Sequence, residues 1–177
     1  MNIIFRATAF NLLLAFILAI PRICIAQQQS YPIIFMGSKF DIEFETKQVA
    51  DGEGVEARLL GRGSKRSIFV AIYEPDGGST PRIVSAFTNG RKLRKLFVIV
   101  AWGVDAPALN TGGSIYQVFI YDEKLDVSNG DSHLHEDISL GKRFGIGFDG
   151  VREGRKVTYK YKNASAVRRQ LILWNYR

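Results

Sequence analysis

Leu96-Phe-Val-Ile-Val-Ala-Trp102 is seven consecutive apolar residues, and most of them are β-branched or aromatic. Such residues favour extended backbone. A strand sends successive side chains to opposite faces, so an unbroken apolar run needs cover on both of them. Whatever fold this chain adopts must therefore place packed material on each side of residues 96–102.

The rest of the chain shows where that cover comes from. Phe40 to Thr46, Val55 to Leu59 and Val157 to Tyr161 alternate with period two, as half-buried strands do. Ile68 to Tyr73, Arg82 to Phe87 and Ile115 to Asp122 also read as strands. Pro75-Asp-Gly-Gly78 and Asn89-Gly90 supply turn chemistry between them. Phe144 to Phe148 carries Gly145 and Gly147, which predicts a strand that something else approaches closely. Gly103 to Gly113 and Asp126 to Asp137 read as loops. The period changes only at the end. Asn163 is placed to cap a helix, and Ala164, Val167, Leu171 and Trp174 recur along one face of it. Arg168, Arg169 and Gln170 then mostly point away. A helix this short is marginal alone and must dock. The expectation is all-β: an antiparallel β-sandwich of about eight strands, or a strongly bent antiparallel sheet, with a short C-terminal helix.

Met1 to Arg6 is a short charged start, and Ala7 to Ile20 is almost wholly apolar. Pro21 and Arg22 end the run, and Cys24-Ile25-Ala26 places small residues before Gln27. This is the pattern of a secretory signal peptide, too short to span a bilayer as a helix. Residues 1–26 are expected to be removed by cleavage after Ala26. Residues 27–177 would then form a single β-sandwich domain in the periplasm, with no transmembrane segment. That cleavage would take away Cys24, the only cysteine, and with it any disulfide, Cys nucleophile or Cys-ligated zinc. It would also remove Arg6 and Arg22 and lower the formal net charge from +7 to +5. That balance favours acidic partners, and export makes nucleic acid an unsuitable one.

No motif names a reaction. Ser139-Leu-Gly-Lys142 spells the Ser-x-x-Lys of penicillin-recognising serine enzymes. It lies in a Gly-rich, strand-prone stretch, however, and the companion Ser-Asp-Asn and Lys-Thr-Gly are absent. His133 and His135 are the only histidines. On a strand they would share a face and could share a metal, but the segment reads as an exposed polar loop and two His are not a full site. Gly61-Arg-Gly-Ser-Lys65 lacks phosphate-loop spacing. Asn163-Ala-Ser165 spells a glycosylation sequon, although the Asn serves better as a cap. No catalytic residue, cofactor or metal ligand is assigned, and the chain is expected not to be an enzyme.

Two stretches remain as binding candidates. Arg91, Lys92, Arg94 and Lys95 form a basic patch beside the most apolar strand. Such a patch either protects that edge from pairing with other chains or receives an acidic partner. Trp102, Asp105, Asn110, Thr111, Gly112, Gly113, Ser114 and Tyr116 frame small polar groups and glycines between two aromatics, a composition suited to a ligand or to a partner's cleft.

Leu96 to Trp102, Thr111-Gly112-Gly113, Tyr116 to Asp122, Gly145 to Gly154, Tyr159 to Ala164 and Val167 to Leu171 together resemble the carbapenem intrinsic-resistance proteins of the CarF/CarG type. The likeness covers roughly the second half of the mature chain and includes no catalytic residues. It implies self-resistance to a carbapenem without hydrolysis, by binding the β-lactam or by shielding a cell-wall target. A shorter set, Asp76-Gly77, Val98-Ile-Val100 and Gly112-Gly113 to Tyr116, resembles the periplasmic inhibitors of invertebrate-type lysozymes. In those β-sandwich proteins a Ser-Gly loop enters the enzyme's cleft, and here the position reads Thr111-Gly112-Gly113-Ser114. The implied partners are a small β-lactam or a cell-wall protein, and a homo-oligomer is compatible with either.

Overall fold

The computed structural model describes residues 29–91, 94–128 and 131–176. The segment expected to be a signal peptide, with Cys24, and Lys92 lie outside the described residues. The chain forms β1 (Gln29–Phe35), β2 (Ser38–Val49), β3 (Gly52–Gly61), β4 (Ser67–Tyr73), β5 (Arg82–Asn89), β6 (Lys95–Ala106), β7 (Thr111–Ser128) and β8 (Asp131–Glu136). Helix α1 (Ile138–Phe144), β9 (Ile146–Arg152), β10 (Arg155–Val157) and α2 (Ala164–Leu173) follow.

The fold is all-β with a short C-terminal helix, as the periodicities predict. It is not a two-sheet sandwich. One curled sheet of ten strands runs β1-β2-β3-β4-β8-β7-β6-β5, with β9 added to β7 and β10 to β9. The pairing is mixed, because β4 and β8 run parallel where Phe69 meets His133. Strand β7 is the branch point. Its first half lies between β6 and β9, and its second half leaves for β8 past a register shift between Tyr121 and Leu125.

Strand β6 meets the two-sided demand of its sequence. Leu96, Val98, Val100 and Trp102 face the hollow of the curled sheet, where they pack with side chains such as Phe35, Ile42, Leu59, Ile68 and Tyr73. Phe97 and Ile99 face outward into a second core with Val118, Ile120, Leu140, Phe144, Val167 and Leu171. Helices α1 and α2 are the lid of that second core. As predicted, Asn163 caps α2, accepting a hydrogen bond from the Ala166 N–H at 2.9 Å. Val167 and Leu171 are fully buried beneath the helix.

Several local expectations change. Asp126 to Asp137 is mainly strand, the end of β7 and all of β8, because Leu134 supplies an inward anchor among polar residues. Ser139 to Lys142 is helical, started by Asp137, whose carboxylate accepts from the Leu140 N–H at 2.9 Å. Val157 to Tyr161 leaves the ladder after Val157, since Tyr159 turns in to pack. The close approach predicted at Phe144 to Phe148 is that same Tyr159. A Cβ on Gly147 would sit 1.9 Å from its ring, and the Tyr159 hydroxyl donates to the Gly145 carbonyl at 2.8 Å.

Gly147→Ala must therefore displace a packed ring and should cost about 1–3 kcal/mol in urea unfolding. Gly112→Ala meets no atom within 4 Å and should stay within about 1 kcal/mol of the parent. Equal midpoints for the two variants would refute the Tyr159 contact.

Candidate functional site

The stretch from Trp102 to Tyr116 is a rigid hairpin and not a loop. β6 and β7 pair in register from Lys95↔Asp122 to Ala106↔Thr111, and only a 3₁₀ turn, Pro107–Leu109, separates them. Asn110 closes that turn in the left-handed region, with φ of 47°. The polar groups are spent on bracing. The Asn110 carbonyl accepts from the Gly154 N–H at 3.0 Å, and the Thr111 hydroxyl accepts from the Glu153 N–H at 2.9 Å. Gly113 lets β9 come close, since a Cβ there would meet the Asp149 carbonyl at 2.4 Å.

The two aromatics do not frame one site. Trp102 points into the hollow and donates from Nε1 to the Glu74 carbonyl at 2.9 Å. Tyr116 points into the outer core and stacks on Tyr159, with ring centroids 6.1 Å apart. They are on neighbouring strands with opposite facing, because Trp102 pairs with Ile115 and not with Tyr116. Asp105, Gly112 and Gly113 remain exposed along the hairpin, Ser114 is half-buried, and Leu109 at the tip is 67% exposed.

The basic run also divides. Lys95 is not a surface cation. Its Nζ pairs with Asp122 and, at 2.9 Å, with Asp137. Burial works against charge on Lys95, but the hydrogen bonds it donates to these carboxylates prevail and raise its pKa. Burial likewise pushes Asp137 up, yet bonds from Lys95, Ser139 and the Leu140 N–H hold its carboxyl at about 2. The Ser139 hydroxyl donates to Asp137 at 2.7 Å, so the Ser-x-x-Lys spelling does begin a helix but with its hydroxyl committed to a carboxylate. His133 and His135 do share the outer face of β8, and His135 Nδ1 lies 3.5 Å from Asp126. Among the described residues no three His, Cys, Asp or Glu side chains come together as a metal-ligating group.

Arg91 and Arg94 lead elsewhere. The curled sheet ends in β1 on one side and β5 on the other, and no ladder joins them. Where these edges meet α2 there is an open cleft of about 940 Å³. Its walls are Tyr31 to Ile34 of β1, Ala86 to Gly90 at the end of β5, and Arg168, Ile172 and Tyr176 at the C-terminus, with Arg91 and Arg94 at the turn. Arg94 Nη1 donates to the Ile34 carbonyl at 3.1 Å and so ties the seam. The Arg168 guanidinium lies on the Phe87 ring, 4.3 Å from its centroid. Among the described residues no acidic side chain lines the cleft. Three guanidinium groups there meet walls that are part apolar and part polar, with no carboxylate among the described residues, a setting that favours an anion with a partly apolar body.

Two of the four residues in the basic run thus belong to a site with Arg168, Tyr31 and Ile172, which the sequence reading left out. A signal was present in Arg168 and Ile172. Their i, i+4 spacing puts both on one flank of α2 beside its buried stripe. Comparison with family models, curated proteins and solved structures gives no match.

Asp137→Asn keeps a cap acceptor and removes the charge that Lys95 neutralises. Because the folded carboxyl lies below its ordinary value of 3.8, its contribution is present above that value and lost as pH falls toward 2. The variant should be less stable by about 2 kcal/mol at pH 7. The gap should close between about pH 4 and pH 2. A gap independent of pH in denaturant titrations would rule out the ionic role.

Proposed function

We propose that the chain is an exported, non-catalytic binding protein that gives self-resistance to a carbapenem by holding the drug, unhydrolysed, in the seam cleft. The observation that carries this reading is the trio Arg91, Arg94 and Arg168 around a cleft with no acidic side chain among its described residues. A carbapenem is a small bicyclic molecule with one carboxylate. Its anion suits a guanidinium fork, and its apolar ring edge suits Phe87 and Ile172. The cleft exceeds the volume of one such molecule and is open, which agrees with capture and release more than with a buried reaction site. The resemblance carried by Leu96 to Trp102 and Gly145 to Gly154, and the signal-like residues 1–26, support the same reading and a periplasmic setting.

The chemistry around Ser139 supports a role without hydrolysis. A serine nucleophile must pass its proton to a base. Here the hydroxyl donates to Asp137, whose depressed pKa makes it a poor proton acceptor.

A second reading, inhibition of lysozyme or another cell-wall hydrolase, is favoured by one feature. The β6–β7 hairpin presents Leu109 on a tip that the β9–β10 turn braces from the side. A stiff tip loses little entropy on entering a cleft.

Calorimetric titration of the purified protein with a carbapenem at low salt separates the two. One molecule should bind and be recovered intact, and Arg168→Ala should weaken binding by about tenfold or more. Lysozyme activity should be unchanged at a stoichiometric ratio. Hydrolysed drug, equal binding by the variant, or lysozyme inhibition that Leu109→Asp abolishes would each overturn the carbapenem reading.

A further inference from the structure

Helices α1 and α2 contain no acidic residue, and none occurs anywhere from Arg155 to the C-terminus. Lys142 and Arg143 close α1, and Arg168 and Arg169 sit mid-way along α2. The apolar stripe of α2 is fully used by the outer core, yet its last turn adds two more aliphatics on the solvent side. Ile172 is 68% exposed and Leu173 is 72% exposed. Two of the guanidinium groups lie over aromatic rings, Arg143 over Trp174 at 3.9 Å from the centroid and Arg168 over Phe87 at 4.3 Å. Stacking leaves the in-plane N–H groups of a guanidinium free to donate, and among the described residues none of these four cations pairs with a carboxylate.

We infer that this helical face docks on the surface of a bilayer containing anionic phospholipid. Cations at head-group level and aliphatics reaching just beneath them are what an interfacial helix requires. The geometry supplies both without disturbing the core, because Val167 and Leu171 stay buried on the opposite side of α2. A second copy of the chain fits this face poorly, since two such surfaces would bring like charges together. An acidic protein would satisfy the cations, but a lipid surface takes the phosphate contacts and the two aliphatics at once. No described helix is long and apolar enough to cross a membrane, so the contact would be peripheral.

This face shares Arg168 and Ile172 with the seam cleft, so the inference is tested apart from the carbapenem reading through Arg169 and Leu173, which do not line it. The test is flotation of the purified protein with phosphatidylcholine vesicles containing roughly one-third phosphatidylglycerol, against phosphatidylcholine alone. The protein should float with the anionic vesicles only. Arg169→Glu and Leu173→Asp should each lower its partition by about tenfold or more while leaving the thermal midpoint and carbapenem titration unchanged. Equal binding to neutral vesicles, no flotation, or unaltered partition of both variants would overturn the proposal. So would full displacement by soluble glycerol phosphate, which would mean a simple phosphate site. A dimer that Leu173→Asp dissociates would likewise assign the face to a second copy.

Discussion

Everything in this molecule is arranged around one strand that water must not reach from either side. Five residues of β6, Leu96 to Val100, are fully buried in succession. An ordinary antiparallel sheet solves burial on one face and leaves the other to solvent. Here the inner face is satisfied by curling the sheet, so that β1 to β4 come round to cover Leu96, Val98 and Val100. The outer face is satisfied by α1 and α2. Two cores of different construction therefore share one strand, and the helices are part of the solution to β6.

The shared strand also explains why charge is buried where it is. Lys95 stands at the entry to β6, where the outer core, the start of α1 and the bend in β7 converge. Its ammonium is nearly enclosed, and an isolated cation there would be costly. Asp122 on β7 and Asp137 at the head of α1 neutralise it from two directions. This triad fixes helix α1 relative to the register of β6 and β7, as a hydrophobic contact of similar size could not, because hydrogen bonds prescribe direction. It is this geometry, and not solvation, that makes Lys95 differ from its neighbours Arg91 and Arg94 in the same run of cations.

What was legible in the sequence was mostly periodic. The alternation in Phe40 to Thr46, the unbroken run at residues 96–102 and the Asn163-capped helix all report local burial, and local burial survives any choice of topology. The glycines of Phe144 to Phe148 were legible for the same reason, because they mark room left for a neighbour. The seam cleft was not. It arises where two strands far apart in sequence, β1 and β5, end side by side, and neither carries a mark of that meeting. The hairpin misled for a physical reason as well. Gly, Pro and Asn ordinarily signal flexible loops, but Gly113 here allows close packing against β9, and Asn110 turns the chain in the left-handed region its side chain tolerates.

The incomplete closure of the sheet is the step from fold to function. A fully closed barrel has no edges, and its ladders leave no gap between first and last strands. This sheet stops short. β1 and β5 are held together by side chains and by the bond from Arg94 to the Ile34 carbonyl, not by a ladder. Where side chains replace a ladder, spacing is set by their size, and a cleft can open without breaking any backbone pair. A sheet edge exposes carbonyl groups that a guanidinium group can satisfy. Arg94 uses one such carbonyl, while Arg168 rests on Phe87, so each is positioned before any ligand arrives. Preorganised cations at an open seam bind an anion with little further ordering. The same omission that leaves the barrel open thus leaves the cleft proposed as the site, and the two cores on either side of β6 are complete without the missing ladder.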